Sequence, residues 1–113
     1  MVWHLVLMKP RPDLSSAERH ALVDAFERAC RDIPTIREVR VGRRMTHGAR
    51  YETGMPDTAE YVIALAFDDL AALQTYLGHP AHEALGARFN QLLSAALVYD
   101  FEVGGIEELR GLV

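Results

Sequence analysis

Seven residues in the second half of the chain, Tyr76-Leu-Gly-His79-Pro-Ala-His82, bring two imidazoles and a phenol together across a glycine and a proline. A helix that ends, breaks and restarts within so short a run exposes backbone groups and gathers side chains from two directions, which makes a pocket corner. Histidine has an ordinary pKa of about 6.5, so near neutral pH it can take a proton from carbon or oxygen and return it. A tyrosine hydroxyl can donate to a developing enolate or alkoxide oxygen. The chemistry this run suits is proton transfer. The same residues also admit a purely structural reading, with His79 as an N-cap, His82 as a core-edge ring satisfied by a backbone carbonyl, and Tyr76 as packing.

Other candidates are weaker. His79 and His82 with Glu83 resemble a metal site, but the intervening proline spoils a shared face and no further ligand follows at a suitable spacing, so no metal is expected. His20 falls on the polar side of a helix, and His47 sits in a long loop where it would act only as a lid. Arg37, Arg40, Arg43 and Arg44 form a basic run able to hold a carboxylate or phosphate; strand alternation sends Arg40 opposite to Arg37 and Arg43, which favours a solvated edge strand. Cys30 shares an apolar stripe, where burial raises a thiol's pKa and makes it a poor nucleophile. Trp3 suits core or interface packing better than stacking on a ligand. No glycine-rich phosphate loop, nucleophile elbow or dinucleotide fingerprint occurs, and no cofactor is expected.

The elements that position these residues follow from periodicity. Val2 to Lys9 is apolar on both parities, a strand covered on both faces, and Pro10 and Pro12 end its pairing. Ser15 and Glu18 form a capping box that opens a helix with the stripe Leu22, Ala25, Phe26, Ala29, Cys30 and Ile33, stopped by Pro34. Ile36 to Arg43 reads as an edge strand, and Arg44 to Thr58 as a loop. Glu60 to Phe67 is a strand apolar on both faces, with Tyr61, Ile63, Leu65 and Phe67 on one side. Asp68 or Asp69 caps a short helix ended by Gly78, and His79-Pro80 starts another with the stripe Leu85, Phe89, Leu92, Leu93 and Ala96. Leu97 to Val103 is the last strand, followed by Gly104-Gly105 and a short tail.

This order is βαββαβ, an α+β ferredoxin-like sandwich with a four-stranded antiparallel sheet, helices on one face, and the first and third strands central. Both faces of those central strands are apolar, and helices on one side cannot cover both. A twofold copy of the chain packing its sheet there is the simplest solution, so a homodimer is expected.

The chain has 113 residues and is 50% hydrophobic and 25% charged, the composition of one globular domain. A formal net charge of −4 disfavours a nucleic-acid binder or an anionic membrane surface, so neither partner is expected. One cysteine makes no intrachain disulfide and fits a reducing compartment. No apolar window approaches a membrane span and the start lacks a basic signal region, so a cytoplasmic location is expected.

His4-Leu-Val-Leu-Met-Lys9, Tyr76-Leu-Gly-His-Pro-Ala-His82 and Val98-Tyr-Asp100-Phe resemble the stress-responsive A/B-barrel domain, one of the dimeric α/β-barrel families. The resemblance spans about residues 2 to 103, giving a domain over 1–103 and a tail over 104–113. It implies a ferredoxin-like subunit whose sheet packs against its partner's as a dimeric barrel. Some plant members are cofactor-free polyketide cyclases; by that likeness His82 removes the proton between two carbonyls, Tyr76 steadies the oxyanion, and His4 lines the same cavity. The leading expectation is a homodimer that binds a small, mostly apolar molecule between the sheet and the broken second helix, with His4, Tyr61 and His79 as ligand contacts. The alternative is a cyclase-like enzyme with His82 and Tyr76 as its catalytic pair.

Overall fold

A computed structural model describes all of residues 1–113. The strands are β1 (Val2–Pro10), β2 (Glu38–Arg43), β3 (Tyr61–Phe67) and β4 (Leu93–Glu102), and the helices are α1 (Ser16–Asp32), α2 (Leu70–Leu77), α3 (Pro80–Leu92) and α4 (Leu109–Leu112). They form a four-stranded antiparallel sheet in the order β2-β3-β1-β4, so β1 and β3 are central. This is the α+β ferredoxin-like arrangement that the hydrophobic pattern predicts.

Local chemistry accounts for the boundaries. The Ser15 hydroxyl accepts from the Glu18 amide at 3.1 Å and the Glu18 carboxylate accepts from the Ser15 amide at 3.0 Å, completing the capping box of α1. Asp69 caps α2 through the Ala72 amide at 2.8 Å. His79 caps α3, with its Nδ1 accepting from the Ala81 amide at 3.0 Å and Pro80 in the first turn.

Two expectations need correction. The last strand begins at Leu93 rather than Leu97, so Leu93 and Ala96 belong to β4 and not to the stripe of α3. Leu93 is already extended and pairs with Pro10 across a register shift at Lys9/Pro10, so proline sits at the end of the ladder rather than outside it. The Arg44–Thr58 stretch is a loop, as expected, and it carries internal order. A 3₁₀ turn over Arg50–Glu52 lies within it, the Glu52 carboxylate accepts from the amides of His47 and Ala49, and Lys9 ties Asp57 back to β1. Gly48 and Gly54 adopt φ of 82° and 85°, the left-handed turns that glycine permits.

β1 alternates strictly, with Val2, His4, Val6 and Met8 buried beneath the helices and Trp3, Leu5 and Leu7 half-buried on the other face. Register places Ala64 and Ala66 of β3 and Leu97, Tyr99 and Phe101 of β4 beside those last residues; Ala66 is buried, but Leu97, Tyr99 and Phe101 remain exposed on that face. The Cα envelope is correspondingly thin, 47 × 40 × 17 Å, one helix layer on one sheet layer. A further 3₁₀ turn, Ile106–Glu108, and α4 leave Ile106, Leu109 and Leu112 exposed. No helix is long and apolar enough to cross a membrane.

Candidate functional site

Strand register and the helix break bring four of the chemistry-bearing side chains together. His4 on β1 faces the helices beside Asp100 of β4, and its Nδ1 donates to the Asp100 carboxylate at 2.6 Å. Because a carboxylate accepts and cannot donate, this bond fixes the tautomer and leaves Nε2 of His4 unprotonated in the neutral ring. Tyr76, at the end of α2, lies with its ring centroid 5.6 Å from His4, 5.2 Å from Phe67 and 4.7 Å from His82. The Gly78 break turns the chain so that α3 returns His82 onto the ring that α2 delivered.

The protonation states suit a base and a donor. His82 Nδ1 lies 3.0 Å from the Leu77 carbonyl oxygen, so it carries the proton and Nε2 holds the free lone pair. Partial burial pulls the His82 pKa below its ordinary value; the Leu77 carbonyl opposes that shift and His4 adds to it. The ring is thus neutral and basic at pH 7. Tyr76 is almost fully buried, and burial pushes its pKa far up, with a smaller contribution from Cys30, so its hydroxyl stays protonated.

The space available lies elsewhere on the same face. A cavity of about 780 Å³ opens between α1 and the β2–β3 side of the sheet, walled by Leu22, Phe26, Cys30, Val39, Tyr61 and Ile63, with Arg19, Glu27 and Arg43 among its charged residues. The expectation was a cavity between the sheet and the broken second helix. Instead, that region is filled: Leu73, Tyr76, Ala81 and Leu85 are each at most 2% exposed. α2 lies closest to β1 and β3, whereas α1 packs chiefly along α3, with Phe26 against Phe89 at 5.3 Å, while its buried residues share one core with Val6, Met8 and Ile63. The two regions still adjoin. Val39 on the cavity wall is level with His4 across the sheet, through Leu65, and Cys30 on the opposite wall is close enough to Tyr76 to bear on its ionisation.

The remaining candidates fall into place separately. Tyr61 lines the cavity at its far end, level with Met8 and Arg43. His79 uses Nδ1 as a helix cap, the role its position before Pro80 suggests. His47 Nε2 pairs with the Tyr51 hydroxyl at 3.1 Å within the long loop. Burial raises the pKa of Cys30, with Glu27 adding to the effect, as its place in an apolar stripe suggests. No three His, Cys, Asp or Glu side chains converge as a metal would require. Asp100 was missed as a site residue, although it is an acid on the helix-facing parity of its strand, directly opposite His4. The α1 wall was missed because an amphipathic stripe reads the same whether it closes on a sheet or stands off it.

Strand and helix elements in βαββαβ order around a four-stranded antiparallel sheet define a ferredoxin-like α+β subunit. The chain belongs to the stress responsive A/B barrel domain family, whose family model matches residues 2–103. It is similar to olivetolic acid cyclase of Cannabis sativa, 21% identical over 100 residues covering 88% of this chain and 94% of that protein. A dimeric ferredoxin-like protein of unknown function from Bacteroides fragilis superposes with a TM-score of 0.63 at 27% identity, over 90% of this chain and 95% of the other. The hydroxynitrile lyase of Passiflora edulis shares the fold with a TM-score of 0.76 at 14% identity, over 91% of this chain and 93% of the other.

Proposed function

We propose that this protein is a homodimeric A/B-barrel protein that binds a small, mostly apolar molecule in the cavity beneath α1. The single observation that carries the reading is that cavity: about 780 Å³ of space, walled mainly by apolar side chains, in the size range of small-molecule sites. Dimerisation supplies the missing layer. Trp3, Leu5, Leu7, Tyr99 and Phe101 lie on a face that nothing in the chain covers, and a standard interface of about 1,600 Å² in total would bury such a patch. Similar solved proteins are described as dimeric. Sedimentation at micromolar concentration should give a dimer, and Leu5→Asp should dissociate it; a well-folded wild-type monomer would overturn the assembly. Binding is tested by nuclear magnetic resonance with methyl decanoate as an apolar probe. Shifts at Phe26, Val39 and Ile63 are expected, and their absence would overturn the cavity assignment.

A second reading, cofactor-free proton-transfer catalysis of the cyclase kind, is favoured by one specific observation: the Leu77 carbonyl and partial burial leave His82 with a neutral ring and a free Nε2, 4.7 Å ring to ring from Tyr76. In that reading His82 Nε2 takes the proton between two carbonyls. The protonated Tyr76 hydroxyl donates to the enolate oxygen, and the carbanion carbon closes on a second carbonyl, whose oxygen then receives the proton from His82. His4, held by Asp100, positions the ring edge of Tyr76. The similarity to olivetolic acid cyclase supports the same chemistry. Faster deuterium exchange at the central carbon of an alkyl 1,3-diketone, lost in His82→Ala and reduced in Tyr76→Phe, is the expected result. Equal exchange in wild type and both variants would overturn it.

A further inference from the structure

The cavity has a basic end. Arg43 closes it on the sheet side, level with Tyr61 and Met8, and Arg19 closes it on the helix side, in the second turn of α1. Most other cations of the chain are matched: Lys9 with Asp57, Arg11 with Asp13, Arg28 and Arg31 with Asp32, Arg37 with Asp68 and Arg40 with Glu38. Arg19 and Arg43 have no carboxylate within ion-pair distance, although the chain carries more acids than bases. The only acid on the cavity wall is Glu27, eight residues and about 12 Å along α1 from Arg19. Two guanidiniums therefore line an apolar hollow whose wall carries one acid, which leaves the cavity as a whole a single excess positive charge.

We propose that the cavity's ligand is an amphipathic monoanion, with its apolar body beneath α1 and a carboxylate held between Arg19 and Arg43. This deepens the binding reading above and rests on it. A planar guanidinium matches a carboxylate in a paired hydrogen-bond geometry, and two of them beside an apolar hollow favour an anion over an isosteric neutral molecule. The arrangement also sets a direction. Four residues of strand, about 13 Å, separate the level of Arg43 from that of His4. A molecule anchored at the basic end thus extends its other end toward Cys30, Val39 and the Tyr76 ring.

The test compares decanoate, methyl decanoate and decyl phosphate by titration calorimetry, using the wild-type protein and the Arg19→Gln/Arg43→Gln variant, with circular dichroism to show that the variant is folded. Decanoate should bind wild type about tenfold more tightly than the ester, and the double variant should lose that preference while still binding the ester. Equal affinity for acid and ester, or a preference that survives in the variant, would overturn the anion anchor and leave the apolar cavity standing. Tighter binding of decyl phosphate than of decanoate would overturn the carboxylate class. Binding of none of the three would overturn both the anchor and the cavity reading beneath it.

Discussion

α1 and α2 lie on the same face of one sheet and do opposite things with it. α2 presses Leu73 and Tyr76 onto β1 and β3 until nothing is left between them, and the short break after Leu77 lets α3 lock Ala81 and Leu85 into the same layer. α1 commits its buried stripe, Leu22, Phe26 and Ala29, largely to α3 and leaves the β2–β3 side of the sheet hollow. The filled half holds the His4–Asp100–Tyr76–His82 cluster; the hollow half holds space and unpaired arginines. Rings that must keep a fixed spacing need close packing around them, while a ligand needs an absence of it. The division places rigid chemistry and accommodating volume side by side, with Cys30 and Val39 at the seam.

The largest expected effect measures that contrast in stability. Leu73 is 1% exposed in the filled half, and Leu73→Ala should cost about 2–5 kcal/mol by leaving a cavity that its neighbours cannot close. Val23 borders the hollow half and is 49% exposed, so Val23→Ala should stay within about 0.5 kcal/mol. Urea unfolding of both variants reads the difference. Similar losses would mean that α1 seals the sheet as α2 does.

Much of this was legible in the sequence because it depends on local pattern. Strand parity grouped His4 with Val2, Val6 and Met8, the Ser15–Glu18 box fixed the start of α1, and Gly78 with Pro80 marked the break that returns His82 to Tyr76. The extent of β4 was not legible, because Leu93 and Ala96 fit a helical stripe as well as a strand, and only pairing with Pro10 and Met8 decides between them. The cavity was out of reach for a similar reason. Whether Leu22 and Phe26 touch the sheet or α3 depends on how α1 is offset, a tertiary property that residue spacing does not carry. Glu52 as the organiser of the long loop was equally hidden, since its partners are the amides of His47 and Ala49 rather than side chains.

A smaller effect is expected at the seam. Cys30→Met extends an unbranched side chain into the hollow, where it can adapt to an irregular wall. Its stability should be unchanged or raised by up to about 1 kcal/mol, since apolar area is buried without loss of a needed contact. Affinity for methyl decanoate should fall several-fold in calorimetry. A destabilised variant with undiminished binding would show that Cys30 packs as core and that the ligand space ends before it.

The smallest effect is a slope. Partial burial makes His82 bind its proton less readily in the folded chain than in the unfolded one, with the Leu77 carbonyl and Glu83 opposing the shift and His4 reinforcing it. As pH falls through the ordinary histidine range near 6.5, the unfolded chain takes up its proton first and stability drops; the loss is complete once pH lies below the lowered folded value. Above about pH 7.5 the ring is neutral in both states and contributes nothing to the pH dependence. His82→Gln removes the titration, so thermal unfolding temperatures of wild type minus variant should be level from pH 8 to about 7.5 and decline toward pH 5. Glu83→Gln removes an opposing influence and should steepen the decline. The expected change is modest because the ring is only half-buried and water screens its charge. Parallel profiles for wild type and His82→Gln would mean that the ring titrates as it does in water, and the filled half would then lose its claim to hold a base ready at neutral pH.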